Sequence, residues 1–83
     1  MQIRYSKQAV RCLMRMPRNQ AELIRAKIIQ YAQAPESLAG NVSALKGETG
    51  IFRLRVGDWR VIFGKDGEVL DIIRIAPRGI AYE

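Results

Sequence analysis

The sequence predicts an α+β fold in the order β-α-α-β-β-β, with a helical hairpin packed on one face of a mainly antiparallel sheet. Two observations support this fold class. Amphipathic segments bounded by Pro17 and Pro35 fill the first part of the chain, and three strand-like segments follow Gly50. With 83 residues, the chain is expected to form one domain, residues 1–83.

The N-terminal segment is expected to contain one short strand and one helix. Residues 2–5 are a candidate edge strand. Ser6 can cap a helix that runs to about Met16, because a serine hydroxyl accepts a hydrogen bond from the first turn. Pro17 then disfavours a helical conformation in the residue before it.

A second helix is predicted over residues 20–33. Asn19 followed by Glu22 is a variant of the capping box, and Pro35 closes the helix. Residues 36–50 contain three glycines and are expected to form a loop that separates the helices from the sheet.

The segment 51–63, which reads IFRLRVGDWRVIF, is the most informative part of the chain. We predict a hairpin that turns at Gly57-Asp58, because a glycine at the first loop position suits a type II′ turn. Strand side chains alternate between two faces. One face is apolar and should pack against the helices, with Trp59 as a core residue; it carries Phe52, Leu54, Val56, Trp59, Val61 and Phe63. The other face carries Arg53, Arg55, Arg60 and Ile62.

This second face, called the arginine face below, is difficult to explain by folding alone. The predicted register places Arg55 opposite Arg60, and like charges in directly opposed positions destabilise a sheet. A solvated sheet face is the simpler interpretation, but it favours interleaved acidic residues, and Asp58 in the turn is the one acidic residue of the hairpin. Arginine forks suit phosphate, so the face is a candidate polyanion site.

A third strand is predicted over residues 69–76, which read VLDIIRIA, with Pro77 at its end. Its nearly continuous apolar content indicates an interior strand covered on both faces. Its register is open. A loop of two or four residues would place Asp71 opposite Arg60 as an ion pair, whereas a loop of three would turn Arg74 toward the arginine face.

The charge of the chain favours a nucleic acid or another polyanion as a partner. The formal net charge is +6 and the isoelectric point is about 10.1. Lys7, Arg11 and Arg15 recur at helical spacing and form a basic stripe on the first helix. Such a stripe is usually a solvated helix face, and contact with a nucleic-acid backbone is the alternative.

Several kinds of chemistry are disfavoured by composition. The chain has no histidine and a single cysteine, Cys12, so an internal disulfide and a cysteine-rich zinc site are excluded. Asp58, Asp66 and Asp71 are spread over two turns and a strand, which does not suggest a metal cluster. We therefore expect no metal and no cofactor. No apolar run approaches the roughly 20 residues that span a bilayer, so we expect a cytoplasmic protein without a membrane partner.

The order of these motifs resembles a known family. A basic helical hairpin leads into LKGETGIFRLRVGDWRVIF, then an apolar strand, then RIAPRGIAY. This resembles the RelE/ParE superfamily of bacterial type II toxins, and its RelE-type mRNA endonucleases in particular. The resemblance implies a RelE-like microbial RNase fold and a toxin that cleaves mRNA on the ribosome by 2′-hydroxyl attack, thereby inhibiting translation. The implied partners are mRNA, the ribosome and a cognate antitoxin, with which the toxin would form a hetero-oligomer.

The resemblance also implies roles for individual residues. The basic positions of the second and third family strands match the arginine face, and the C-terminal arginine and tyrosine match Arg78 and Tyr82. Tyr82 could act as acid or base, or stack on a base. The expected catalytic residues are Arg53, Arg55, Arg60, Arg78 and Tyr82. The expected RNA-binding residues are Lys46, which matches a basic position before the sheet, and the helical stripe Lys7, Arg11 and Arg15.

Two other functions remain open from the sequence. A ParE-like member of the same fold would inhibit DNA gyrase and cleave nothing, and a non-enzymatic domain would only bind a polyanion. The arginine face together with Tyr82 favours the nuclease, because ParE-like members generally lack that combination.

Overall fold

The computed structural model describes residues 1–79 and has the predicted α+β architecture. The strands are β1 Gln2–Tyr5, β2 Val42–Ala44, β3 Ile51–Val56, β4 Trp59–Asp66 and β5 Val69–Pro77, and the helices are α1 Lys7–Arg15, α2 Arg18–Gln33 and a short 3-10 helix Pro35–Asn41. One sheet holds all five strands in the order β1-β5-β4-β3-β2. The edge strand β1 pairs with β5 in parallel, and every other pairing is antiparallel.

The start of α1 is as predicted, and the start of α2 is not. The Ser6 hydroxyl accepts a hydrogen bond from the Ala9 backbone N–H at 3.1 Å. The capping box at Asn19 is wrong, because α2 already begins at Arg18 with Pro17 in the cap position. The Pro17 carbonyl accepts the Ala21 backbone N–H at 3.1 Å. Proline has a fixed φ that suits a helix start, so Asn19 lies inside the first turn.

The segment expected to be a loop contains two further elements. The 3-10 helix Pro35–Asn41 leads into the three-residue strand β2. This strand pairs antiparallel with β3, with Ser43 opposite Arg53. It forms the second edge of the sheet. Because β2 spans only three residues, its alternation is too short to stand out in the sequence.

The hairpin has the predicted turn and the predicted register. Gly57 has a φ of +57° while Asp58 does not adopt a positive φ, which agrees with a type II′ turn. All five predicted pairs are present, from Val56 opposite Trp59 to Phe52 opposite Phe63. The arginine face and the apolar face are therefore separated as the sequence indicated.

The core lies between the helices and the apolar face of the sheet. The ring of Phe63 is 4.9 Å from Tyr31 of α2 and 5.6 Å from Phe52, measured between ring centroids. Trp59 packs against the same core from its edge, as predicted, and its Nε1 donates to Gln20 Oε1 at 2.8 Å. The buried hairpin residues on this apolar face are Leu54, Val56, Val61 and Phe63, and Ile62 on the arginine face is buried as well.

A β-bulge decides the register of β5. The loop after β4 leaves Asp66 opposite Val69, but Phe63 pairs with Ile72 and Ile62 pairs with Arg74, so Ile73 is the extra residue. As a result, Arg74 is placed on the arginine face.

Of the two alternatives for β5, the ion pair between Asp71 and Arg60 is not formed. Asp71 stands opposite Gly64 and instead binds Arg4 of β1, with 3.1 Å between Nε and Oδ1. The interior position of β5 is confirmed, since it lies between β1 and β4. Its predicted coverage on both faces is not, because the Ile73 side of the strand is partly exposed.

Helix α1 lies along the part of β5 that β1 does not reach. The pairing of β1 ends with Tyr5 opposite Ile72. Beyond it, the Ser6 hydroxyl donates to the Ile73 carbonyl at 2.7 Å. The Gln8 side-chain amide then donates to the Ile75 carbonyl and accepts the Ile75 N–H, both at 2.9 Å. Gln8 thus replaces a neighbouring strand and holds α1 at this edge. Within residues 1–79, no helix is long and apolar enough to cross a membrane.

Candidate active site

A surface pocket of about 630 Å³ lies on the arginine face. Four arginines line it: Arg53, Arg55, Arg60 and Arg78. The end of the 3-10 helix, the start of β2 and Gly79 complete the wall. The described lining includes no carboxylate.

Two features of the fold bring the four arginines together. On β3, Arg53 and Arg55 share a face because strand side chains alternate, and Arg60 stands opposite Arg55 on β4. Arg78 follows the end of β5, and its backbone N–H donates to the Asp58 carbonyl at 2.7 Å. This bond ties the segment after β5 to the hairpin turn and holds Arg78 beside the other three.

The guanidinium of Arg60 is held by the backbone of its own hairpin. Its Nη1 donates to the carbonyls of Gly57 at 3.0 Å and Trp59 at 2.9 Å. Both bonds use the same nitrogen, and a guanidinium has five N–H donors in a planar fork. Arg60 can therefore be oriented by the protein and still present donors to a bound anion.

Two polar residues of the pocket were missed in the sequence. Arg53 Nη2 donates to the Ser43 hydroxyl at 3.4 Å, and Asn41 Nδ2 donates to the Arg55 carbonyl at 3.5 Å. Both come from the segment that was expected to be a loop. The alternation of polar and apolar residues in Asn41-Val42-Ser43 is the signal that the sequence offers for an edge strand here, and it is too short to predict one.

Lys46 and the basic stripe of α1 do not line the described pocket. Tyr82 lies outside the described residues. Lys46 is exposed in the turn before β3, next to Leu45, whose N–H donates to the Ile51 carbonyl. Four residues of strand separate Ile51 from Arg55, a distance of about 13 Å. Lys46 therefore lies near the opposite end of β3 from the pocket.

The basic stripe of α1 is exposed but does not line the pocket. Lys7, Arg11 and Arg15 lie on the helix that runs beside the edge of β5. Arg11 and Arg15 instead line a separate groove of about 500 Å³ that also includes Trp59 and Pro77. Since Pro77 immediately precedes Arg78, this groove and the pocket meet at the end of β5.

Within residues 1–79, two groups have a clearly shifted pKa, and both lie away from the pocket lining. Burial raises the pKa of the Cys12 thiol, and the nearby charges of Arg15 and Arg74 partly offset this. Burial likewise raises the pKa of the Tyr5 hydroxyl, with a smaller opposing effect of Arg25.

The described pocket is therefore equipped for one kind of chemistry. Its side chains supply positive charge, a hydroxyl and an amide, and arginine does not release its proton near neutral pH. In residues 1–79 no three His, Cys, Asp or Glu side chains are grouped as metal ligands. The arrangement can bind a phosphate and stabilise negative charge that develops on it.

The comparison with protein families identifies the class to which this fold and pocket belong. Residues 3–82 match the model of the ParE toxin of the type II toxin–antitoxin system parDE. The chain belongs to this toxin family, within the RelE/ParE superfamily. Among curated protein sequences, none matches the chain significantly.

Solved structures of RelE toxins share the fold. The RelE–RelB complex of the archaeon Pyrococcus horikoshii superposes with a TM-score of 0.80 and 26% identity, covering 96% of this chain and 97% of that one. The RelB–RelE complex of Methanococcus jannaschii gives 0.76 and 20%, covering 95% and 94%. The intact RelBE complex of E. coli gives 0.74 and 12%, covering 92% and 94%. All three are complexes of a toxin with its antitoxin.

Proposed function

We propose that this toxin is an endoribonuclease that cleaves mRNA in the arginine pocket, on the ribosome, and so inhibits translation in the cytoplasm. The observation that carries the proposal is the convergence of four arginines without a carboxylate in the described pocket lining. A fold alone gains nothing from opposing Arg55 and Arg60 across a strand pair. A bound phosphate would turn this repulsion into attraction.

The pocket would act mainly on the charge of the scissile phosphate. Attack by the ribose 2′-hydroxyl adds negative charge to the phosphoryl oxygens, and donors already held in place stabilise that charge without further reorganisation. Arg60 is the best placed, because its own hairpin orients it. Arg53 and Arg55 would hold the phosphate from β3, and Arg78 would close the site from the segment after β5.

The two proton transfers require another group. The 2′-hydroxyl must lose a proton and the 5′-oxygen must gain one, and arginine is a poor general base. The family resemblance suggests Tyr82 for one of these steps. The ordinary pKa of a tyrosine is about 10, so this role requires surroundings that shift it.

A second function is supported by a specific observation. The matching family model is named for ParE, and a ParE-type toxin would inhibit DNA gyrase without cleaving RNA. In that case the arginine face would be a binding surface for gyrase or DNA. The four arginines would then contribute to affinity and not to a chemical step.

We also propose that a cognate antitoxin binds this chain. The relatives that share its fold were solved as complexes with RelB. A net charge of +6 would attract an acidic segment of such a partner. An antitoxin that covers the arginine face would block access of the substrate to the pocket.

The deciding experiment maps mRNA ends by primer extension after induction of the toxin in growing cells. The nuclease proposal predicts discrete cuts in translated mRNA for the wild type and none for Arg60→Ala. A matched supercoiling assay with purified gyrase tests the rival. Intact mRNA together with inhibited supercoiling would overturn the nuclease proposal in favour of ParE-type inhibition.

A further inference from the structure

The bulge at Ile73 adds a further arginine, Arg74, to the arginine face, outside the four that line the pocket. Because Ile62 stands opposite both Arg53 on β3 and Arg74 on β5, these three residues form one row across the sheet. Neighbouring strands lie about 4.8 Å apart, so Arg53 and Arg74 are separated by about 10 Å across the row. Arg74 does not line the pocket itself. It lies on the side of the face nearest to α1.

The edge of β5 beside Arg74 is bordered by the basic stripe of α1. The double hydrogen bond between Gln8 and Ile75 fixes the helix there. Arg11 and Arg15 are exposed on that helix and line the groove that continues along it. Cys12 lines the same groove, and the charges of Arg15 and Arg74 both oppose the rise in its pKa that burial causes.

We propose that Arg74 extends the RNA-binding surface out of the arginine pocket and over the edge of β5, so that the RNA backbone runs from the pocket past Arg74 to Arg11 and Arg15 on α1. This inference rests on the proposed function, because it takes RNA as the ligand. It gives the basic stripe a role despite its distance from the pocket. It also connects the pocket on the arginine face with the basic stripe of α1 into one RNA-binding surface.

The position of Arg74 determines what it would contribute. A residue outside the pocket would contact a phosphate that flanks the scissile one, so it would strengthen binding without taking part in the chemical step. Each such contact on single-stranded nucleic acid releases counterions and adds about 0.7 to the slope of log affinity against log salt. Loss of one contact would therefore weaken binding by about fivefold at 0.1 M salt.

The test measures binding and does not depend on cleavage. The probe is a fluorescent single-stranded RNA of about 12 nucleotides, within the site size of small single-strand-binding domains, with every 2′-hydroxyl methylated to prevent cleavage. Anisotropy titrations over a salt series compare the wild type with Arg74→Ala, with Arg74→Lys and with the pair Arg11→Ala and Arg15→Ala. Arg25→Ala is the matched control, because it removes an equal charge from an exposed residue of α2.

We expect Arg74→Ala to weaken binding about fivefold at 0.1 M salt and to lower the salt slope by about 0.7, and the α1 pair to lower it by about twice as much. Arg74→Lys should keep most of the salt slope, since it keeps the charge. If Arg74→Ala weakened binding only by damaging the fold, the positive charge of lysine would not be expected to restore the slope. A probe of about four nucleotides, too short to leave the pocket, should bind all variants equally.

The possible failures can be told apart. If Arg74→Ala binds like Arg25→Ala, the proposed path is wrong, and cleavage that depends on Arg60 would still support the nuclease. If Arg74→Ala weakens binding but the α1 pair does not, the path onto α1 is wrong. If the wild type does not bind the probe at all, this inference fails, whereas the proposed function still stands or falls by the mapping of mRNA ends.

Discussion

The two faces of the sheet differ in how their residues contribute to the stability of the fold. On the helix-covered face, Leu54, Val61 and Phe63 are at most 2% exposed, and burial of apolar surface explains why each is there. On the arginine face, Arg55 stands opposite Arg60 beside a pocket whose described lining holds no acidic residue. That arrangement opposes folding slightly. The contrast is what we expect if the first face serves stability and the second serves the ligand proposed above.

The largest expected effect is on the helix-covered face. Phe63→Ala should destabilise the fold by about 3–5 kcal/mol, because it leaves a cavity where the ring meets Tyr31 and Phe52. Chemical denaturation measures the change, with Arg55→Ala as the control on the other face. A loss of stability as small as that of the control would contradict the comparison.

Arg60→Ala should have nearly as large an effect, but on activity. Cleavage should fall by roughly 10²–10³-fold, the usual consequence of removing one transition-state donor. The thermal midpoint of Arg60→Ala should stay close to that of the wild type, because the change opens no core cavity. The two carbonyl partners of Arg60 lie at the hairpin turn, one exposed and one partly buried. Arg60→Lys should recover only part of the activity, because an ammonium lacks the bidentate fork. Normal cleavage by a folded Arg60→Ala would make the arginine face a docking surface.

Arg55→Glu should separate stability from function most directly. It replaces a like-charge pair opposite Arg60 by an opposite-charge pair, which is expected to stabilise the hairpin by about 0.2–1 kcal/mol. The same change places a carboxylate in the pocket and should abolish cleavage. Denaturation curves and primer extension on one preparation test both halves. If Arg55→Glu is less stable than the wild type, the opposed arginines do not repel each other as we argue.

The smallest expected effect concerns the thiol of Cys12. Arg74 favours its thiolate, so Arg74→Ala should raise the pKa of Cys12 further. Because the thiolate is the reactive form, alkylation of Cys12 near pH 8 should be slower in Arg74→Ala than in the wild type. The variant should reach the wild-type rate only at a higher pH. Arg25→Ala serves as the control. Equal alkylation rates in all three proteins would mean that Arg74 does not reach the α1 side of β5.

Much of the fold and half of the site were predictable from local pattern. The alternation in residues 51–63 predicted the register of the hairpin and the face on which Arg53, Arg55 and Arg60 lie. Once the turn at Gly57 is fixed, the two-residue period of a strand assigns every side chain to one face or the other. Ser6 likewise marked the start of α1 by chemistry confined to one turn. Such features depend only on neighbouring residues, so the chain carries them in its sequence.

Only the tertiary structure decided how separate segments meet. The bulge at Ile73 placed Arg74 on the arginine face, the bond from Arg78 to Asp58 brought a fourth arginine to the pocket, and β2 added Ser43 beside Arg53. Each of these depends on the pairing of distant backbone groups, which no local periodicity encodes. The short strand β2 forms because β3 offers it a partner, and the bulge forms where β5 must match β4 and α1 together. The physical reason is that hydrogen-bond partners across a sheet are chosen by the whole fold.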